Sequence, residues 1–252
     1  MRLGLVTYNW GRDWDLDTLI RNCQATGFEG VELRSTHKHG VEPTLSVDQR
    51  MDVAMRFADT EVELVGLGSA CEYHSPDPAV VRKNVEETKA FIKLCHDVGG
   101  SGVKVRPNGL PSNVPPEKTL AQIGRSLREV SQFGSGYGVQ IRLEVHGRGT
   151  SELPNIRRIM EACDHENAVL CWNCNETDLA GDGLAQNFRL VQPWTGIYHI
   201  HDLVSDYPWQ ELFGLAKQSG FTGWMLLEEG QPTGDPIRVM KYYRKLWEYM
   251  TA

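Results

Sequence analysis

The chain has 252 residues, 40% of them hydrophobic and 23% charged, with a formal net charge of −7. That is enough chain for one large closed core, and α/β barrels of about this length fold as a single domain. The acidic balance argues against a protein held to nucleic acid mainly through phosphates, and no run of about 18 apolar residues offers a membrane span.

The chain opens on an apolar run, LGLVTY (residues 3–8), with no charged segment leading a long apolar one, so no secretion signal is expected. Seven further strand-like runs follow: 30–34, 62–68, 102–106, 139–145, 168–173, 196–201 and 224–229. Between them, apolar residues recur at three- and four-residue spacing, the sign of amphipathic helices. Leu16, Leu19, Ile20 and Cys23 form one such stripe; Val81, Val85, Phe91, Ile92 and Cys95 a second; Leu120, Ile123, Leu127 and Val130 a third. Gly27, Gly99, Gly100, Gly138, Gly220 and Gly223 stand between helix ends and the next strands, where left-handed caps are useful. Strand and helix alternate eight times without a compositional break, which predicts an α/β fold, a (β/α)8 TIM barrel occupying residues 1–252 as one domain. A doubly wound open sheet is disfavoured because no Gly-x-Gly-x-x-Gly turn follows the first strand. The non-helical stretches 35–45, 69–77 and 107–116 all follow strands and fall on the rim where such barrels carry chemistry.

Successive strand residues face opposite sides. In VQIRLEVH, residues 139–146, the apolar set Val139, Ile141, Leu143 and Val145 should meet the helices, which turns Gln140, Arg142, Glu144 and His146 inward. The same reasoning turns Glu32, Arg34, Lys104, Arg106, His199, His201 and Glu228 into the barrel. Buried charges are expensive unless paired or bound to metal. Mutual pairing accounts for Glu32, Lys104 and Arg142 as readily as a direct role does. Glu144, His199 and Glu228, all at strand ends, read better as ligands of one divalent cation. Asn173 ends the sixth strand in the same way.

These residues carry a resemblance. GFEGVEL (27–33), KAFIKLCHDVGGSGVKVR (89–106), LEVHG (143–147), HIHD (199–202) and GFTGWMLLEEG (220–230) resemble, in order and spacing, the xylose isomerase-like TIM barrels, the sugar phosphate isomerase/epimerase group. The resemblance implies one divalent metal ion (Mn, Mg, Co or Zn) held by Glu144, Asn173, His199 and Glu228. The second of these departs from the family, which carries Asp there; an amide adds no charge, so weaker Mg or Mn binding is expected. Asn175 or Glu176 could stand in. It further implies that Glu144 and Glu228 exchange a proton with a small carbohydrate through an enediolate, with Glu176 beside the substrate. Arg106, His146 and His201, turned inward, are the expected contacts for substrate, and His37, in the loop after the second strand, can reach over it or be merely solvated. The expected function is therefore a metal-dependent sugar isomerase or epimerase. A keto-sugar lyase or dehydratase shares the intermediate. A sugar-binding protein that has lost catalysis is the reading Asn173 favours. A DNA-repair endonuclease of the same superfamily is disfavoured by the acidic balance and by the missing Asp and His of the sixth strand. The resemblance allows a homo-oligomer.

The remaining candidates have ordinary explanations beside the functional one. His39, Glu72 and His74 lie in predicted rim loops and are as readily solvated. Arg106 can pair with Glu144 or Glu32, and Asp202, opposite His199 in facing, can serve as a brace. Cys171 and Cys174 spell C-x-x-C, but that spacing on a strand puts the thiols on opposite faces, which favours buried spacers over a redox or zinc site. Six scattered cysteines lack the density of a disulfide scaffold and fit a reducing cytoplasm. Trp10, Trp172 and Trp209 suit sugar platforms and core filling equally.

Overall fold

The structure is a computed structural model describing residues 1–252. Its eight strands are β1 (Arg2–Val6), β2 (Gly30–Arg34), β3 (Glu63–Glu72), β4 (Gly102–Arg106), β5 (Gln140–Glu144), β6 (Ala168–Asn173), β7 (Thr195–Ile200) and β8 (Trp224–Leu227). They pair in parallel in chain order, and β8 closes on β1 through Arg2↔Trp224 to Leu5↔Leu227. The eight helices between and after them are α1 (Leu16–Thr26), α2 (Val47–Ala58), α3 (Pro78–Asp97), α4 (Pro116–Ser135), α5 (Leu153–Cys163), α6 (Leu184–Val191), α7 (Trp209–Gln218) and α8 (Pro236–Thr251). The protein is thus a (β/α)8 barrel, as the alternation predicts. No helix is long and apolar enough to cross a membrane.

Local chemistry sets the helix limits. Asp15 accepts the Thr18 amide to start α1, and Gly27, at φ 76°, closes it in the left-handed conformation that costs a side chain dearly. Ser46 and Gln49 form a reciprocal capping box at the start of α2. Gly99, Gly138 and Gly220 also take positive φ, whereas Gly100 and Gly223 do not. Those two are needed for room instead. A Cβ on Gly100 would stand 2.8 Å from the Cys95 sulfur, and one on Gly223 would stand 2.8 Å from the Phe221 ring.

The main core lies between sheet and helices. Val103, Ile141, Leu143, Val145 and Met225 face outward and are fully buried against residues such as Ile92, Ile123, Leu127 and Ile156. Each such burial contributes about 1.5–3 kcal/mol. A much smaller apolar cluster, Val6, Val65, Cys171, Ile197 and Leu226, fills part of the barrel interior. The rest of the interior is charged: Glu32, Lys104, Arg142, Glu144 and His199 are all buried. Arg142 sits at the N-terminal end and donates to the Val65 carbonyl (2.9 Å) and Ser101 Oγ (2.9 Å) rather than to a carboxylate. Glycines on β3 and β4 make space for it, since a Cβ on Gly66 or Gly102 would fall 2.7 Å or 2.4 Å from its guanidinium.

β3 runs four residues beyond the expected end at Gly68 and takes in Glu72, with a register shift against β4 between Gly68 and Glu72. β2, β4 and β6 have the expected ends, and the remaining strand ends differ by at most two residues, within ordinary fraying.

Candidate metal and sugar site

The alternation that buries Ile141 and Leu143 outward leaves Glu144 inside, at the C-terminal end of β5. β7 does the same for His199, and Glu228 follows β8 directly. One ligand atom from each of Glu144, His199 and Glu228 lies within 4.8 Å of the other two. His199 Nδ1 is 3.3 Å from Glu228 Oε2 and 3.8 Å from Glu144 Oε1. Its Nε2 turns the other way, to Glu32 Oε1 at 3.3 Å. Neither ring nitrogen of this fully buried histidine has a well-formed hydrogen bond, and neither carboxylate oxygen of Glu32 has one. An imidazole held from behind by a carboxylate, with its free nitrogen facing two more carboxylates, is the donor set of a divalent-metal site. The residues present fit such an ion.

Two neighbours temper the negative charge. Lys104 Nζ donates to Glu144 Oε2 at 2.7 Å with both groups buried. Asn173 Nδ2 donates to Glu144 Oε1 at 3.1 Å, and Asn173 Oδ1 faces His201 Nε2 at 2.9 Å. Asn173 therefore joins the cluster with its amide nitrogen, not its oxygen, toward Glu144. Burial pushes the Glu144 carboxyl up, but the Lys104 charge and His199 outweigh it and hold the carboxyl well below the usual range. Burial likewise opposes ionisation of Glu228, and His199 more than offsets it. For Lys104, the charges of Glu144, Glu228 and Glu32 overcome desolvation and raise its pKa.

Glu144 and Glu228 open into a cavity of about 530 Å3 at the C-terminal mouth of the barrel, with the fully buried His199 behind them. Arg106, His146 and His201 line it, together with Lys104 and Asn173. His146 and His201 both have lowered pKa values, chiefly through burial. His37 stands apart in an adjoining cavity. Glu176 is exposed at the start of a short 3-10 turn, Glu176–Leu179, outside the lining of both. Asp202 does line the main cavity, although alternation turns it away from His199, because the chain leaves β7 after Ile200.

Arg106 pairs with Glu72 Oε1 at 3.0 Å, not with Glu144 or Glu32 as expected. The physical reason is the extra length of β3, which carries Glu72 up to the rim beside it. The same carboxylate is 3.3 Å from His74 Nδ1. His39 is buried and braces its own loop through the Arg34 carbonyl and the Val41 amide.

Cys171 is buried inside the barrel and Cys174 in the outer core; all six cysteines are unpaired. The tryptophans at 10, 172 and 209 are buried in the core as well. Asn175, the possible stand-in for Asn173, lines the cavity too, and several lining residues escaped the sequence reading: Tyr8, Ser205, Glu229 and Gln231. They come from loops whose path no periodicity encodes. The half-buried Tyr207 hydroxyl donates to the buried Asp178 carboxyl at 2.8 Å behind Asn175.

The model of the xylose isomerase-like TIM barrel family matches residues 20–246. The chain belongs to this family. Within it, the chain is 22% identical over 189 residues to an inosose isomerase of Bacillus velezensis, covering 74% of this chain and 66%, just under two thirds, of that relative. It is 20% identical over 257 residues to an L-ribulose 3-epimerase of Methylomonas sp. strain DH-1, covering 94% and 88%. The fold is shared with the crystal structure of an E. coli 3-keto-D-glucoside 4-epimerase in apo form, at TM-score 0.83 and 16% identity over 99% of each chain. It is shared equally with the IOLI protein carrying a bound zinc atom, at TM-score 0.82 and 18% identity over 100% of this chain and 98% of that one.

Proposed function

We propose that this xylose isomerase-like barrel is a divalent-metal-dependent isomerase or epimerase acting on a small sugar or keto-sugar. The observation that carries the reading is the meeting of Glu144, Glu228 and the free Nδ1 of a fully buried His199 at the mouth of the barrel. The relatives support it, being an inosose isomerase and sugar 3-epimerases.

Glu144, His199 and Glu228 would hold the ion, and Asn173 would join them through its oxygen only with its amide turned over. When bound, such an ion polarises a substrate carbonyl and acidifies the neighbouring C–H. The protein's own groups then handle the proton. Glu144 and Glu228 are both kept ionised by the cations around them, so each can accept one. One carboxylate takes the proton from carbon; the C–H pair becomes the C=C bond of an enediolate. Return of a proton to the opposite face gives the epimer, and return to the adjoining carbon gives the isomer. His146 and His201 bind hydroxyl groups around the reacting carbons, and Arg106 grips the substrate from the cavity wall beside them. Glu176 and His37 would reach substrate only at its outer end. The six unpaired cysteines support a reducing compartment such as the cytoplasm.

The test is solvent exchange. The protein, supplemented in turn with Mn, Mg, Co or Zn, is incubated in D2O with ketoses, keto-sugar acids and inososes. Deuterium enters at carbon in at least one of them, and Glu228→Gln stops it. Failure of every sugar to exchange with every metal would sink the proposal. An expelled hydroxyl in the product would mark a dehydratase instead.

A further inference from the structure

Beside the main cavity lies a second of about 260 Å3, and the two share Tyr8, Arg34 and Arg106 as walls. Arg12 and His37 complete the charged part of the smaller one, and no carboxylate lines it. Three guanidinium groups thus face one small space in a chain whose net charge is −7.

Their own partners are few. Arg106 gives one terminal nitrogen to Glu72, and its Nε is buried without a partner. The Arg34 guanidinium stacks on the Tyr8 ring at 4.4 Å and comes no nearer to a carboxylate than 3.9 Å, to Glu228 Oε1. Arg12, exposed at the edge, makes no ion pair; its backbone carbonyl accepts the Lys38 amide at 3.0 Å, which ties the first rim loop to the second. His37 Nδ1 lies 3.3 Å from Thr7 Oγ1, and the Thr7 hydroxyl accepts the Arg34 amide at 2.8 Å. A hydrogen-bonded loop framework therefore holds the backbone of these residues, while Arg106 keeps its one carboxylate partner, Arg34 has only a distant one and Arg12 has none. Burial first, and then the neighbouring His39, Arg34 and Arg12, push the His37 imidazole down to about 4.

From this geometry we infer that the smaller cavity is an anion subsite, and that the substrate carries a carboxylate or phosphate group bound between Arg12, Arg34 and Arg106. Guanidinium forks match the planar or tetrahedral oxygens of such groups bidentately. The inference deepens the isomerase reading and rests on it for where the rest of the sugar lies. Shared walls place the anionic group next to the end of the cavity that holds Glu228, so it sits at the outer end of a substrate whose reacting carbons lie over Glu144 and Glu228.

Binding is tested apart from turnover. Sulfate and acetate, standing for the two oxyanion classes, are titrated against the full chain while the His37 imidazole is followed by NMR. At least one of them binds saturably and raises the His37 pKa. Arg12→Gln and Arg34→Gln each weaken it roughly tenfold or more, the loss of a charge-assisted hydrogen bond. An unmoved His37, or binding that both variants leave intact, overturns the subsite. Which probe binds separates a sugar acid from a sugar phosphate. In the exchange assay, the preferred anionic sugar has a KM at least about tenfold below the matching neutral ketose, and Arg12→Gln narrows that gap. Equal KM values for the two, without anion binding, remove this inference and leave the isomerase standing. Anion binding without exchange on any sugar does the reverse.

Discussion

The residue that departs from the family pattern offers the sharpest test. Asn173→Asp replaces an amide that donates to Glu144 Oε1 at 3.1 Å by a carboxylate at the same place. The hydrogen bond to a charged acceptor is lost, about 1.5–3 kcal/mol. In its place, two unit charges at 3.1 Å repel by about 5 kcal/mol at an effective dielectric constant of about 20. Two groups soften this: the Lys104 ammonium, already 2.7 Å from Glu144, and the His201 imidazole, 2.9 Å from the Asn173 oxygen. Burial lowers the His201 pKa in the native protein, and a carboxylate at 173 would draw it back up. The net loss should be about 2–4 kcal/mol without metal, or roughly 5–15 °C in Tm for a chain of this size. Adding Mn must then recover more Tm in the variant than in the native protein, because the ion relieves the repulsion and binds only the folded state. The assay is thermal unfolding after chelation and across a Mn titration. A variant as stable as the native chain without metal, and no more responsive to Mn, would refute the electrostatic picture of the site.

Three other substitutions probe the same interior. Glu32→Gln leaves His199 with a neutral partner at Nε2, and Mn affinity measured by calorimetry should fall about 10–100-fold, the usual cost of losing such a brace; unchanged affinity would mean the 3.3 Å contact is incidental. Lys104→Met strips the buried Glu144 of its ion pair and should cost about 3–5 kcal/mol in urea unfolding without metal, with a loss below 1 kcal/mol counting against the pair. Asp178 is pushed up to about 7, chiefly by burial. Its folded pKa thus exceeds the ordinary value, so ionising it penalises the fold increasingly from about pH 4 to pH 7 and constantly above. Asp178→Asn keeps an acceptor for Tyr207 and removes that penalty. Its stability advantage over the native chain should widen by roughly 2–4 kcal/mol from pH 4 to pH 8, and parallel pH profiles would show that Asp178 is not perturbed.

How much of this was readable beforehand follows from the range of each signal. Alternation is a property of adjacent residues, so VQIRLEVH alone sends Glu144 inward, and HIHD does the same for His199. Eight such segments in parallel order bring them to one rim with no further information. Partners across the barrel need the register. The pairing of Arg106 with Glu72 depends on four extra residues of β3 and a register shift, neither of which alters the local pattern. The direction of the Asn173 amide depends on His201 and Glu144 together. Arg12, outside any strand pattern, lies on a loop tied through its carbonyl to Lys38, and Glu176 stands where a 3-10 turn begins; neither shows in the local sequence.

The departure at 173 and the lysine at 104 are best understood as parts of one charge balance. Glu32, Glu144 and Glu228 already place three carboxylates around His199. A fourth at position 173 would leave the cluster strongly anionic in a space where water cannot screen it, and only a bound cation would make it tolerable. A neutral amide at 173 together with an ammonium 2.7 Å from Glu144 lowers the negative charge of the same space without metal. Such a barrel should fold with little dependence on metal and hold its ion loosely. Asn173→Asp would move it toward the opposite regime, tighter binding and a weaker metal-free fold, and both shifts must appear together because they arise from one and the same repulsion.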